Sequence, residues 1–325
     1  MKLDPKILKL AKEKHSAACH NRRSAMMDKL EDLRRRVPEF AALEKSQFRL
    51  GAEIAEACLS GDPEATLAAI RPRAEAIAQR KEAILTANGL PPSGEAEIAC
   101  TLCGDEGFTG GRPCSCLMSF YRAEQFKENA RLFRFVSGDR RDFLPGDYSE
   151  EPNPKNRGIP DRAYMIRLLE KLETGGDIPA QSIAFTGESG MGKKFLTAFL
   201  LRRAIAAGEF CVYAPAYSLA KLFEEDRFSR CEYASDELER MKKASLLIID
   251  ELGTEQTTAY SVAALLELLD QRFSEGLTTV ITTGLDEKDI SVRYNPELVL
   301  RLYRQFTQYF IPLTVAEAER NNSYN

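Results

Sequence analysis

Residues 183–198 read Ile-Ala-Phe-Thr-Gly-Glu-Ser-Gly-Met-Gly-Lys-Lys-Phe-Leu-Thr-Ala, and they restrict the fold more than any other stretch. The apolar run ending at Thr186 has the pattern of a buried strand, and Phe195, Leu196, Phe199 and Leu200 repeat at helical spacing. Between them lie Gly187, Gly190 and Gly192, followed by Lys193. Strand, glycine loop, lysine and helix in that order predict an α/β chain with the loop at the sheet's C-terminal edge. Such a loop is built to cradle phosphate. Glycines let successive backbone N–H groups converge on phosphate oxygens, the helix start adds partial positive charge, and Lys193 reaches the β and γ phosphates. Gly187, Glu188, Ser189, Gly190, Met191, Gly192, Lys193 and Lys194 are therefore the expected nucleotide contacts. One position departs from the pattern. Where a Ser or Thr hydroxyl ordinarily coordinates Mg²⁺, this chain has Lys194, which offers no acceptor atom and puts that ion in doubt.

The rest of the C-terminal half repeats the α/β alternation. Cys211 to Ala214 reads as a strand and Ala216 to Glu225 as a helix. Leu246-Leu247-Ile248-Ile249 is a fully apolar run of the kind found in a parallel sheet, and Asp250-Glu251 closes it. Carboxylates at a strand's C-terminal end face the crevice where such sheets bind ligands. Asp250 is the candidate for holding Mg²⁺, directly or through water, and Glu251 for deprotonating an attacking water. Ala259 to Arg272 follows as a helix and Thr278 to Thr283 as a β-branched strand, whose Thr282 and Thr283 could face phosphate or water before Gly284. Arg293, Arg301, Arg304 and Arg320 are candidates for neutralising a transferring phosphoryl group, though most arginines in such segments are surface charges.

At 325 residues the chain is long enough for two domains. A net charge of -4 gives no general attraction for polyanions, so contact with nucleic acid would need a local basic patch. No apolar run approaches a membrane span and no signal core is visible, which predicts a cytoplasmic protein with no membrane partner. From Arg22 to Ala57 the apolar residues Met26, Leu30, Leu33, Val37, Phe40, Leu43, Leu50 and Ile54 mark a helix that Pro38 bends or splits. Gly61-Asp62-Pro63 signals a turn, and a second helix runs from Glu64 to Ala87 until Asn88-Gly89-Leu90-Pro91-Pro92 stops it. Two long helices folded back on each other are expected. Alone they bury little, so a docking arm for a partner is the reading set against a structural appendage. His15, Cys19 and His20 read as surface residues of a frayed leader.

Cys100-Thr-Leu-Cys103 and Cys114-Ser-Cys116 flank a loop containing Gly104, Gly107, Gly110 and Gly111. Cys100, Cys103, Cys114 and Cys116 can surround one tetrahedral ion. Structural Zn²⁺ fits best, because four protein ligands leave no open position for water. An iron–sulfur centre and unliganded redox thiols remain alternatives. Cys58, Cys211 and Cys231 read as small apolar fillers.

These blocks together resemble the bacterial replicative helicase loader ATPases of the DnaC and DnaI type, within the IstB-like AAA+ group, and are most similar to firmicute loader-like replication proteins. The resemblance rests on the helical arm, Asn88 to Pro92, the four-cysteine block, the phosphate loop, Leu247-Ile248-Ile249-Asp250-Glu251-Leu252-Gly253-Thr254-Glu255, and Arg301. It implies an AAA+ fold binding ATP, with assembly on a replicative DNA helicase, single-stranded DNA near the core, and self-association through the AAA+ domain. It assigns the acidic pair to Asp250 and Glu251, the loop lysine to Lys193 and the arginine finger to Arg301, while Arg320 lacks the surroundings of that family's second sensor. Lys194 replaces the family's Thr and Gly284 its sensor Asn, so hydrolysis is expected to be weak or absent. The implied division is a docking arm over 1–95, a zinc knuckle over 96–120, a helix and irregular linker over 121–178, and the nucleotide-binding domain over 179–325. The alternatives are a nucleotide-insensitive adaptor on an AAA+ scaffold and an IstB-like ATPase assisting transposition.

Overall fold

The computed structural model describes residues 2–60, 63–229 and 231–323. Gly61 and Asp62 of the expected turn, and the side chain of Cys58, lie outside the described residues. The chain divides into two compact units, residues 11–120 on one side and Met1–Leu10 with Tyr121–Asn325 on the other.

Three helices dominate the first unit: α1 (Pro5–Arg36), whose first turns belong to the other unit, α2 (Pro38–Ser60) and α3 (Pro63–Ala87). Pro38 splits the predicted helix rather than bending it. It lacks an N–H and has its φ preset, which suits the first position of α2. Helices α2 and α3 run antiparallel, with Arg80 on Glu39 (2.7 Å), Lys81 on Gln47 (2.6 Å) and Arg73 on Glu53 (3.0 Å) along the exposed seam. Met26, Leu30, Leu33, Phe40, Ile84 and Leu85 form the core of this bundle, so apolar burial rather than the exposed ion pairs holds it. The apolar stripe starts earlier than expected. Ala11, His15 and Cys19 are buried at four-residue spacing on α1, so the predicted leader is helix.

After α3 comes a two-stranded ribbon, β1 (Phe108–Thr109) paired antiparallel with β2 (Arg112–Pro113). Gly110 and Gly111 between them both have positive φ (57° and 75°), the conformation a two-residue hairpin turn requires. Helix α4 (Ser115–Glu128) starts at the second cysteine pair.

The second unit is α/β. Short α5 (Ala130–Phe133) and an irregular connector with the ribbon β3 (Pro152–Asn153) and β4 (Ile159–Pro160) lead to α6 (Asp161–Thr174). Then follow β5 (Ser182–Thr186), α7 (Met191–Ala207), β6 (Cys211–Pro215), α8 (Ala216–Ser229), α9 (Glu232–Lys243) and β7 (Leu246–Leu252). The chain continues through α10 (Ala259–Ser274), β8 (Thr278–Thr283), α11 (Glu287–Arg293), α12 (Pro296–Gln305), β9 (Phe306–Phe310) and α13 (Val315–Ser323). Five strands form one parallel sheet in the order β6-β7-β8-β5-β9. Alternate residues face opposite sides, as a pleated strand dictates. Leu247 and Ile249 join Val212, Ala214 and Ile281 against α8 to α12, while Leu246 and Ile248 join Ile183, Phe185 and Val280 against α6 and α7. A sheet covered on both faces explains the uninterrupted apolar run in β7. This is an α/β fold of the AAA+ type with the phosphate-loop strand β5 beside β8 in the sheet interior.

Buried Arg272 ties the sheet's other end together. Its guanidinium donates to the carbonyls of Met241 (2.6 Å), Ala244 (2.8 Å) and Thr278 (2.6 Å), gathering the starts of β7 and β8 onto α10.

Candidate nucleotide site and cysteine cluster

The loop of residues 187–190 follows β5 and opens α7, with Gly190 as N-cap. Gly187 is needed twice over: its φ is 130°, and a Cβ there would sit 2.4 Å from the Ile311 carbonyl oxygen. Lys193 is buried, and its Nζ donates to the carbonyl of Gly187 (2.6 Å) and to that of Glu188. Burial pulls the Lys193 pKa below its ordinary value, against the opposing fields of Asp250 and Glu251. A groove of ≈ 390 Å³ runs past Glu188, lined among others by Ser149, Lys155, Phe310 and Leu313.

The acidic pair sits where β7 meets β8, and a bulge sets its geometry. Ile249 pairs with Ile281 and Leu252 with Thr283, so Asp250 and Glu251 together oppose the single residue Thr282. Glu251 takes up the extra residue in a left-handed conformation, φ 59°, uncommon for a side chain of this kind. Its N–H donates to Thr282 Oγ1 (2.8 Å), and that hydroxyl donates to Asp250 Oδ1 (2.5 Å). The other oxygen, Oδ2, accepts from the Tyr213 hydroxyl (2.7 Å). Burial, and then the Asp250 charge, raise the Tyr213 pKa, which keeps the phenol a donor. Asp250 is itself buried (2% exposed), so both carboxylate oxygens are satisfied within the sheet. Thr283 is also used internally, donating to the Leu252 carbonyl (2.6 Å).

Lys194 lies in the first turn of α7 and pairs with the more exposed carboxylate, Nζ to Glu251 Oε1 at 2.9 Å. The same ammonium lies 5.3 Å from the centre of the Phe135 ring. The first N–H of α7 is taken by an unexpected partner. Met191 N donates to Glu317 Oε1 (2.7 Å), and Glu317 Oε2 accepts from Thr314 N (3.0 Å) and Thr314 Oγ1 (2.9 Å). A carboxylate of α13 thus takes a donor that the loop would turn toward a phosphate. Among the described residues, Glu317, Tyr213 and Phe135 join this site without having been expected there. The contacts with Glu317 and Tyr213 cross 126 and 37 residues, beyond the reach of any spacing pattern.

The remaining candidates divide. Gly284 ends β8 beside the loop, and a Cβ there would meet only the Gly187 carbonyl oxygen, at 3.8 Å. Arg301 on α12 is held bidentate by Asp270 (both contacts 2.5 Å) with Glu297 at 2.9 Å, and the Asp270 hydrogen bonds raise its pKa. Arg293 donates to the Glu255 carbonyl, and Arg320 to the Ala316 carbonyl of its own helix (3.1 Å). Glu255 clamps the turn after the acidic pair: its buried carboxylate accepts from Gly253 N (3.0 Å) and from the Tyr294 hydroxyl.

In the other unit the Sγ atoms of Cys100, Cys103, Cys114 and Cys116 all lie within 4.8 Å of one another. Cys100 to Cys114 is 3.7 Å and Cys103 to Cys116 is 3.4 Å. Four sulfurs about 2.3 Å from one tetrahedral ion would stand about 3.8 Å apart, so the set fits a zinc-sized cation. The protons are already unevenly held. The Cys116 N–H draws the Cys114 pKa down to about 6, while burial, and then hydrogen bonding with Cys103, push that of Cys116 up. Gly107 N donates to Cys103 Sγ (3.3 Å), and Asp105 accepts from Cys100 N (2.9 Å) while bonded to Arg22 (2.7 Å). His15, expected on the surface, is buried with Nε2 3.4 Å from Cys116 Sγ. Its spacing from Cys19 on one face of α1 was the available signal.

The fold and this loop define an AAA+-type P-loop protein. Residues 165–293 match the family described as IstB-like ATP binding protein, which is less than half of the chain. A search of curated proteins found no match. Among solved structures the chain is similar to the DnaC helicase loader (14% identity, TM-score 0.44, covering 55% of this chain and 99% of that one). It is also similar to AMPPCP-bound DnaA from Aquifex aeolicus (17%, 0.39, 56% and 57%) and to DnaI (20%, 0.38, 47% and 82%). At these identities and scores, the strand order and the loop geometry carry the fold assignment. Among the described residues no helix is long and apolar enough to cross a membrane.

Proposed function

We propose that this protein is an ATP-binding AAA+ switch associated with DNA replication, a replicative helicase loader-like factor whose hydrolysis is weak or absent. The observation that carries the reading is the convergence of Lys193, the loop N–H groups and the Asp250-Glu251 pair on one edge of a parallel sheet. The triphosphate would lie along the loop, and the nucleoside in the groove beside Glu188, Lys155 and Phe310. Glu251 is the candidate base, and its Oε1 is occupied by the Lys194 ammonium at 2.9 Å, which stands where an attacking water would have to approach that oxygen. The resemblance of nearly the whole chain to helicase loaders, carried by the blocks named above, supports the partner, a replicative DNA helicase, with single-stranded DNA and further copies of this chain as additional contacts through Arg301 and its neighbours. It also supports the affinity to firmicute loader-like proteins. The matched IstB-like family is consistent with the ATP ligand. Cys100, Cys103, Cys114 and Cys116 would hold Zn²⁺ as a structural ion that fixes the knuckle, since all four positions are filled by sulfur.

Co-purification with the host's replicative helicase, in ATP, ADP and no nucleotide, tests the reading. Retention that depends on ATP is the expected result, and no retention in any state overturns the loader role. A second reading, a nucleotide-insensitive adaptor, is favoured by one feature: Lys193 is bonded to loop carbonyls and Glu317 to a loop N–H, so the loop is closed by the chain's own groups. Under that reading helicase is retained equally in all three states.

A further inference from the structure

The AAA+ fold implies Mg²⁺ beside the phosphates, but the residues here do not fit it. Mg²⁺ demands oxygen ligands in near-octahedral array at about 2.1 Å. The loop hydroxyl is replaced by Lys194, which has no lone pair to give. Asp250 already accepts a hydroxyl hydrogen bond on each oxygen, from Thr282 (2.5 Å) and Tyr213 (2.7 Å), and is buried. Of the Glu251 carboxylate, Oε1 carries an ammonium at 2.9 Å. A divalent ion brought to this carboxylate would meet a positive charge already at contact distance.

We propose that Lys194 is the resident cation of this site and that nucleotide binds here without a divalent metal. The inference rests on the nucleotide-binding reading above and concerns what neutralises the phosphates. An ammonium carries three donors. One suffices for Glu251, which leaves two for phosphate oxygens at the start of α7, next to the charge of Lys193. Phe135 adds to the placement, its exposed ring standing 5.3 Å from the ammonium. Lys194 is held from two directions in the structure, and a bound polyphosphate would supply a third contact without requiring the first two to break. The site then selects nucleotide by its polyphosphate charge, and free nucleotide and its metal complex become equivalent ligands or free nucleotide the better one.

Calorimetric titration of the full chain with ATP, first in EDTA and then in excess Mg²⁺, tests this directly. The parent is expected to bind with affinities within about threefold of each other. Lys194→Thr, which restores a hydroxyl, should bind about tenfold or more weakly in EDTA and recover as Mg²⁺ is added; Lys194→Met should be weak in both. Thermal melting of each variant establishes that the fold is kept. Loss of parent binding by tenfold or more in EDTA overturns the inference while leaving the nucleotide site standing. Absence of ATP binding in both conditions by a folded parent overturns the nucleotide reading itself, and this inference with it.

Discussion

Lys194, after the loop, and Gly284, after β8, are the two positions on which the expectation of weak hydrolysis rests, and their surroundings differ. Gly284 has open space toward the Gly187 carbonyl, so a side chain can be added without moving the backbone. Lys194 is engaged with Glu251 and Phe135, so its replacement releases a carboxylate as well as removing a charge. The double variant Lys194→Thr with Gly284→Asn is expected to raise ATP turnover by about tenfold or more, the scale of gaining one aligned polar group and freeing a base. Turnover equal to that of the parent across a Mg²⁺ titration would count against this. Tyr213 makes a separate case. Tyr213→Phe leaves a buried carboxylate oxygen short of a donor, at a cost of about 1–3 kcal/mol in urea unfolding. A change below a few tenths of a kcal/mol would mean that water replaces the phenol.

At the scale of elements, helix α13 matters most, because its Glu317 competes with phosphate for the first N–H of α7. Glu317→Gln keeps the shape and weakens a charge-assisted hydrogen bond, so ATP affinity is expected to rise by about three- to tenfold, read by titration. The contact also depends on pH. Burial pushes the Glu317 pKa up, but the N–H groups of Met191 and Thr314 outweigh it and the folded value lies below 4.5. The stabilisation is therefore fully present above the unfolded pKa and is lost as pH falls through the lower folded value. Hydrogen exchange over residues 315–323 should accelerate across that acidic window in the parent, and the Glu317→Gln protein should show no such transition. The elements themselves were unevenly legible. Strands β6, β7 and β8 announced themselves by apolar or β-branched runs, and the β5 loop by its glycines. Helix α9 was missed because Ala234, Leu238 and Met241 are scattered among seven charged residues and polar neighbours in a short amphipathic helix. Strand β9, Phe306–Phe310, has neither an apolar run nor alternating polarity, and its place beside β5 is a tertiary fact. Within the site, the residue types that lie in sequence with the loop and the acidic pair could be read, whereas the bulge at Glu251 and the arrival of Glu317 depend on strands and helices brought together by packing.

For the whole molecule the two units rest on different supports. Residues 161–310 bury a sheet on both faces, while the segment around Cys100 to Cys116 has two-residue strands and glycine turns that cannot close a core by themselves. Zinc removal with a chelator under denaturant-free conditions is expected to expose residues 96–116 to protease and to leave the α/β unit protected, with about one zinc released per chain. Fragment mass spectrometry together with a colorimetric zinc assay checks both, and an iron absorption spectrum would instead identify a cluster. The α/β unit, for its part, is closed by the chain's first residues. Asp4 is fully buried, bonded to Arg240 at 2.6 Å and through its N–H to the Tyr121 hydroxyl at 2.9 Å, while Lys6 reaches Glu237 at 2.7 Å. Asp4 leaves the ribosome long before Arg240 exists. The partners stand 236 positions apart, so this buried ion pair can form only after more than two hundred further residues have been added to the chain.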